Sequence, residues 1–94
     1  MECIVGVDVG TTGCKIAVYR EDGICVAKKR WEYSVEFPNP GWAEQDPMIW
    51  WDALKICFKE VFVEEVRPES IQALALSAQA PTLIPVDIDG NPLT

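Results

Sequence analysis

The sequence predicts an α/β fold built on a mixed sheet, with its elements in the order β-β-β-α-β-β. Three observations carry this expectation. The N-terminal third holds three strand-like runs separated by glycine-containing turns, residues 46–67 repeat apolar pairs at a helical spacing, and the run that follows is apolar throughout. Strands linked by tight turns lie antiparallel, whereas a strand reached through a crossover helix returns parallel, so one sheet must hold both senses.

Cys3 to Asp8 is short and largely apolar, as a strand in the middle of a sheet would be. Gly10-Thr11-Thr12-Gly13 breaks it with a tight turn, and Cys14 to Tyr19 then alternates. Cys14, Ile16 and Val18 are expected on one face of this second strand, with Lys15, Ala17 and Tyr19 on the other. Glu21-Asp22-Gly23 has hairpin chemistry and leads into a third strand from Ile24 to Tyr33. Two prolines and a glycine in Phe37-Pro38-Asn39-Pro40-Gly41 exclude regular structure there.

Asp46 before Pro47 is an N-cap followed by proline at the first helical position. Ile49/Trp50, Ala53/Leu54, Cys57/Phe58 and Val61/Phe62 then form one apolar stripe on a helix that stops before Pro68. Ile71 to Ser77 is apolar on both faces, the pattern of a strand covered on two sides. Pro81 to Asp87 is expected to be a further strand, closed by a turn at Asp89-Gly90-Asn91-Pro92. The sequence shows no internal repeat. It stops at Thr94 with nothing to cover the remaining face of the sheet, so a piece of a longer chain is expected.

Composition excludes several functions. Of the 94 residues 49% are hydrophobic, enough to build a core. The formal charge of −7 makes a nucleic-acid partner a poor expectation, since a phosphate backbone demands a basic face. Lys28-Lys29-Arg30 is expected to be an exposed strand segment or sheet edge. With no histidine, these residues offer no histidine triad, metal site or general base. The four cysteines (Cys3, Cys14, Cys25 and Cys57) have no zinc or C-x-x-C spacing, and three lie in apolar strand-like runs. They read as reduced core thiols of a cytoplasmic protein. The N-terminus lacks the basic start of a signal peptide, and no apolar run nears the roughly 18 residues that span a bilayer, so no membrane partner is expected.

Chemistry concentrates in Gly6-Val7-Asp8-Val9-Gly10-Thr11-Thr12-Gly13-Cys14-Lys15. A carboxylate at the end of the first strand, Asp8, can hold Mg²⁺ through water, since magnesium keeps part of its hydration shell. Gly10 and Gly13 let backbone amides approach a phosphate, Thr11 and Thr12 add hydroxyls, and Lys15 can neutralise a transferring phosphoryl group. The same residues also suit an ordinary hairpin turn, and that alternative stays open on the residues alone. The stretch is neither a Rossmann G-x-G-x-x-G nor a Walker loop ending in G-K-[ST].

Asp8-Val9-Gly10-Thr11-Thr12 between two strands resembles the first phosphate motif of the sugar kinase, Hsp70 and actin superfamily, whose fold is ribonuclease H-like. Gly41-Trp42-Ala43-Glu44-Gln45-Asp46-Pro47 before a helix with Trp50 is similar to the FGGY carbohydrate kinases. So are Leu76-Ser77-Ala78-Gln79 and Asp87-Ile88-Asp89-Gly90-Asn91-Pro92-Leu93. The matches come in the family's order across residues 1–94, which the resemblance identifies as the N-terminal part of the first kinase domain. It implies ATP-dependent phosphorylation of a sugar or polyol hydroxyl. Asp8 would serve Mg²⁺, Gly10, Thr11, Thr12 and Lys15 the ATP phosphates, and Gln79 the sugar or polyol. Trp42, Glu44 and Asp46 are expected to be a loop anchor and a helix cap.

The sequence departs from two family patterns. Glycerol kinases follow the glutamine with Arg-Glu and xylulokinases with Met-His, whereas this chain has Ala80-Pro81, so neither specificity carries over. The family's general base is an aspartate much further along, beyond Thr94. The chain alone is therefore expected to catalyse nothing, and its open sheet edge to favour self-association, the parent being a possible homo-oligomer. The alternatives are another ATPase of the superfamily, or a non-catalytic interaction module.

Overall fold

The computed structural model describes residues 2–78 and 84–93. Four strands form one sheet: β1 (Cys3–Val9), β2 (Gly13–Arg20), β3 (Cys25–Glu32) and β4 (Ile71–Ala78), ordered β3-β2-β1-β4. β1 pairs antiparallel with β2, and β2 with β3, while β4 returns parallel to β1. The sheet is mixed, as the hairpin turns and the crossover helix require.

The crossover is α1 (Pro47–Glu64). Its start follows from two adjacent residues. Asp46 holds an extended backbone and its carboxylate accepts from the Met48 N–H at 3.0 Å, while Pro47 takes a position whose N–H would have no helical partner. The helix ends where the N–H groups of Glu65 and Val66 both return to the Val61 carbonyl. A single 3-10 turn (Pro68–Ser70) then feeds β4.

α1 lies across β2 and β3. Cys3, Val5, Val7 and Val9 of β1, Cys14, Ile16 and Val18 of β2, and Ala27 of β3 meet Ala53, Cys57, Val61 and Val66 in one core. The residues at the helix contact are small, which lets the helix approach the sheet closely, with Trp50, Leu54, Phe58 and Phe62 packed around them. Burial of side chains such as Ile16 and Val61, both 0% exposed, removes apolar surface worth about 1.5–3 kcal/mol each.

Several expectations need correction. β4 is apolar on both faces yet Gln72 to Ala78 are exposed, Leu74 by 56% and Leu76 by 65%. The one helix sits over β2 and β3, two strands away from β4, so nothing described covers it. The strand expected from Pro81 to Asp87 begins outside the described residues. From Ile84 to Asp87 the chain makes only an isolated bridge, Val86 to Pro92, because Pro85 has no N–H to offer a ladder and Asp87 is engaged in a turn. Cys25 is not a core thiol: it is exposed at the start of edge strand β3, whereas Cys3, Cys14 and Cys57 are each 1% exposed. Ala17, expected opposite the core face, is also buried, its methyl group shielded on a strand flanked by two others. β3 starts one residue later than Ile24, which belongs to the turn stabilised by Gly23 at φ +90° and by the Arg20–Asp22 ion pair.

Lys28, Lys29 and Arg30 do lie on an edge strand, β3, where charge discourages further strand pairing. Lys29 reaches over to Glu65 past the helix end, at 3.5 Å. Among the described residues no helix is long and apolar enough to cross a membrane.

Candidate phosphate-binding site

The β1–β2 register sets the geometry. Val9 pairs with Cys14 on the helix side of the sheet, so the next pair, Asp8 and Lys15, projects from the opposite face. Both are exposed. Asp8 also lies beside Ser77 of β4, so an acid, a base and a hydroxyl stand in one row across β2, β1 and β4. The structure thus brings together Asp8, Lys15 and the turn Gly10 to Gly13, as the sequence expectation requires. Gln79, the expected substrate residue, lies outside the described residues, as do Ala80 and Pro81.

The turn closes with the Gly10 N–H donating to the Gly13 carbonyl at 2.9 Å, and Thr11 and Thr12 are exposed at its tip. Neither glycine adopts the left-handed backbone, which among the described residues is confined to Gly23, Gly41 and Gly90. Gly13 is needed for a steric reason instead: a Cβ there would stand 2.8 Å from the Trp31 carbonyl oxygen on β3. A Cβ at Gly10 would stand 3.1 Å from the Gly13 oxygen, across the turn itself.

Residues that the sequence reading left without a role hold the turn from behind. The Tyr33 hydroxyl donates to the Gly10 carbonyl, and the Tyr33 N–H donates to the Thr12 carbonyl at 3.0 Å. Gln45 Nε2 donates to the Thr11 carbonyl at 2.7 Å and to the Ser34 carbonyl at 3.2 Å. Trp50 Nε1 in turn donates to Gln45 Oε1 at 3.1 Å. Burial, followed by the nearby Cys14 and Asp8, raises the Tyr33 hydroxyl above its ordinary pKa of 10.0, so it remains a donor at neutral pH. The available signals for Gln45 were its place in the Gly41–Pro47 motif and immediately before the cap residue Asp46.

The neighbouring motif residues have structural tasks. Asp46 caps α1, and the backbones of Glu36 and Glu44 exchange two hydrogen bonds at 2.7 and 2.8 Å. The Trp42 N–H closes a turn onto the Asn39 carbonyl at 3.0 Å, beside Gly41 at φ +81°. Asp87 serves its own turn: its carboxylate accepts from the N–H groups of Asp89 and Asn91, both at 2.9 Å, and Asn91 above all holds it below the usual carboxylate range.

These residues fit a magnesium–triphosphate group. Among the described residues no cluster of three or more metal-binding side chains exists, so Asp8 could supply one ligand, leaving water and phosphate oxygens to complete the coordination magnesium favours. Exposed hydroxyls at Thr11 and Thr12 and the Lys15 ammonium match the remaining negative charge.

The chain is similar to known proteins over nearly its whole length. Residues 3–94 match the family model described as "FGGY family of carbohydrate kinases, N-terminal domain". The chain is 34% identical over 84 residues to a glycerol kinase of Aquifex aeolicus (89% of this chain, 17% of the relative). It is 33% identical over 75 residues to a xylulose kinase of Escherichia coli (80% of this chain, 15% of the relative). The structure of a xylulose kinase from Lactobacillus acidophilus superposes on it with a TM-score of 0.89 at 31% identity, over 100% of this chain and 19% of that one. The chain therefore spans less than a fifth of the length of these relatives. Its mixed sheet, its hairpin with Asp8 and Lys15 side by side, and its sequence place it in the FGGY family of carbohydrate kinases, within the N-terminal domain.

Proposed function

We propose that this chain is the phosphate-binding portion of an ATP-dependent kinase acting on a hydroxyl of a sugar or polyol, and that it forms the start of the first of two domains. The carrying observation is the Asp8–Lys15 pair on the exposed sheet face, directly beside the turn bearing Thr11 and Thr12. Bound MgATP would supply the transferable phosphoryl group and the metal's charge compensation.

This chain's residues bind and orient. Asp8 anchors the hydrated metal, and the Gly10–Gly13 turn with the Thr11 and Thr12 hydroxyls receives phosphate oxygens. Lys15, opposite Asp8, offsets the charge that accumulates on the phosphoryl oxygens in the transition state. Gln79 is proposed to face the sugar or polyol, a reading that rests on the family resemblance. Proton removal from the acceptor hydroxyl is assigned to an aspartate beyond Thr94, so the 94 residues alone are inactive. The reduced thiols Cys3, Cys14, Cys25 and Cys57 support a cytoplasmic setting.

The test joins this chain to a complete two-domain kinase polypeptide and measures ADP release against pentoses, polyols and sugar acids. Release that requires both MgATP and one acceptor is expected, and Asp8→Asn should lower kcat by about 10²-fold or more, the scale on which such charge stabilisation acts. Full turnover by the Asn variant, or ADP release indifferent to every acceptor, would refute the assignment.

A further inference from the structure

Every carbonyl of the phosphate turn accepts a hydrogen bond, three of them from Tyr33 and Gln45. Gly10 O accepts from the Tyr33 hydroxyl, Thr11 O from Gln45 Nε2, Thr12 O from the Tyr33 N–H, and Gly13 O from the Gly10 N–H. In a trans peptide the C=O of one residue and the N–H of the next point in opposite directions. Drawing the Gly10 and Thr11 carbonyls toward Tyr33 and Gln45 therefore turns the amides of Thr11 and Thr12 away from those two side chains, in a turn whose Thr11 and Thr12 are exposed. Two donors on one side set the direction of two donors on the other.

From this geometry we infer that Tyr33 and Gln45 are positioning residues for phosphate binding, with Trp50 orienting Gln45. The inference rests on the proposed phosphate role of the turn and adds a route by which α1 acts on it. Gln45 stands directly before the cap residue Asp46, and Trp50 lies one turn into the helix. The start of α1 and the phosphate turn are thus tied through one amide side chain, which bridges the Thr11 and Ser34 carbonyls and the Trp50 indole. A glutamine does this because its amide is both donor and acceptor at the end of a two-methylene stem. Asparagine is too short to make both contacts from the same backbone position, and glutamate could not donate.

Hydrogen–deuterium exchange on this chain tests the inference, using magnesium tripolyphosphate as the probe. Tyr33→Phe removes one hydroxyl and keeps the ring; Gln45→Met keeps the length and removes both hydrogen-bonding ends. Val61→Ala, a core change far from the turn, controls for loss of stability alone. Both turn variants should raise exchange of the Gly10 amide, which donates to the Gly13 carbonyl, about fivefold and weaken tripolyphosphate protection of the turn by a similar factor, the worth of roughly one hydrogen bond, beyond any change in Val61→Ala. Exchange in the turn equal to that of Val61→Ala overturns the positioning role, and so does faster exchange with unchanged tripolyphosphate affinity. If exchange rises as expected but tripolyphosphate protects not even the unaltered chain, the phosphate role of the turn fails, and the ties to Tyr33 and Gln45 are structural only.

Discussion

Gly13 and Gly6 sit on neighbouring strands of the same hairpin and have opposite tolerances. A Cβ at Gly13 meets the Trp31 carbonyl at 2.8 Å, whereas one at Gly6 meets nothing within 4 Å. Gly13→Ala is expected to cost about 1–3 kcal/mol in urea unfolding, the range for inserting an atom where the backbone must shift, while Gly6→Ala is expected to be tolerated. The sequence marked Gly13 as important but for a different reason, room for phosphate; the approach of β3 is a tertiary fact with no local signature. Asp8 and Lys15 were legible because strand alternation alone puts them on one face. Tyr33 and Gln45 were not, because a hydrogen bond to a turn 20 or more residues away follows from the pairing of β2 with β3 and the entry angle of α1. Cys57 is the thiol whose pKa the fold raises. Burial first, then Cys14 with its sulfur 3.9 Å away, pushes its thiol up to about 12 from an ordinary 9.0. Above pH 9 the unfolded chain releases this proton while the folded chain keeps it, so stability is full below pH 9 and declines as pH rises toward 12. Urea midpoints measured from pH 8 to 11 should fall, and Cys57→Ala should flatten that decline; an equal decline in the variant would assign it elsewhere.

At the scale of elements, the strands of the opening meander and the start of the capped helix could be read within a residue or two, since each has a local cause: alternation, turn chemistry, the Asp46-Pro47 start. Removing that start should show it. Asp46→Ala is expected to lower stability by about 1 kcal/mol through loss of the hydrogen bond to Met48 N–H. Ile16→Ala, at a fully buried position between β1, β3 and α1, should cost more, about 2–5 kcal/mol. Comparable losses from the two would mean that α1 is held by its cap rather than by its apolar face. β4 shows where local reading stops. Its apolar composition identified a strand, but composition cannot say which layer covers it, and α1 lies over β2 and β3 instead.

The whole molecule joins a well-buried half, β1 to β3 under α1, to an exposed edge at β4. Unpaired backbone groups on an uncharged apolar strand favour pairing with another chain, so the isolated chain is expected to self-associate at high concentration. Multi-angle light scattering should register this, and Leu76→Lys, at a 65% exposed position, should return it to a monomer. The assignment to a carbohydrate kinase family rests on the whole arrangement, yet its chemistry rests on one hairpin. The most direct measurement is a titration of the ¹⁵N-labelled chain with magnesium tripolyphosphate, followed amide by amide. Saturable shifts concentrated from Gly10 to Lys15, and lost in Asp8→Asn, are the predicted result. Shifts scattered over the surface, or an unchanged response in Asp8→Asn, would contradict the hairpin's phosphate role.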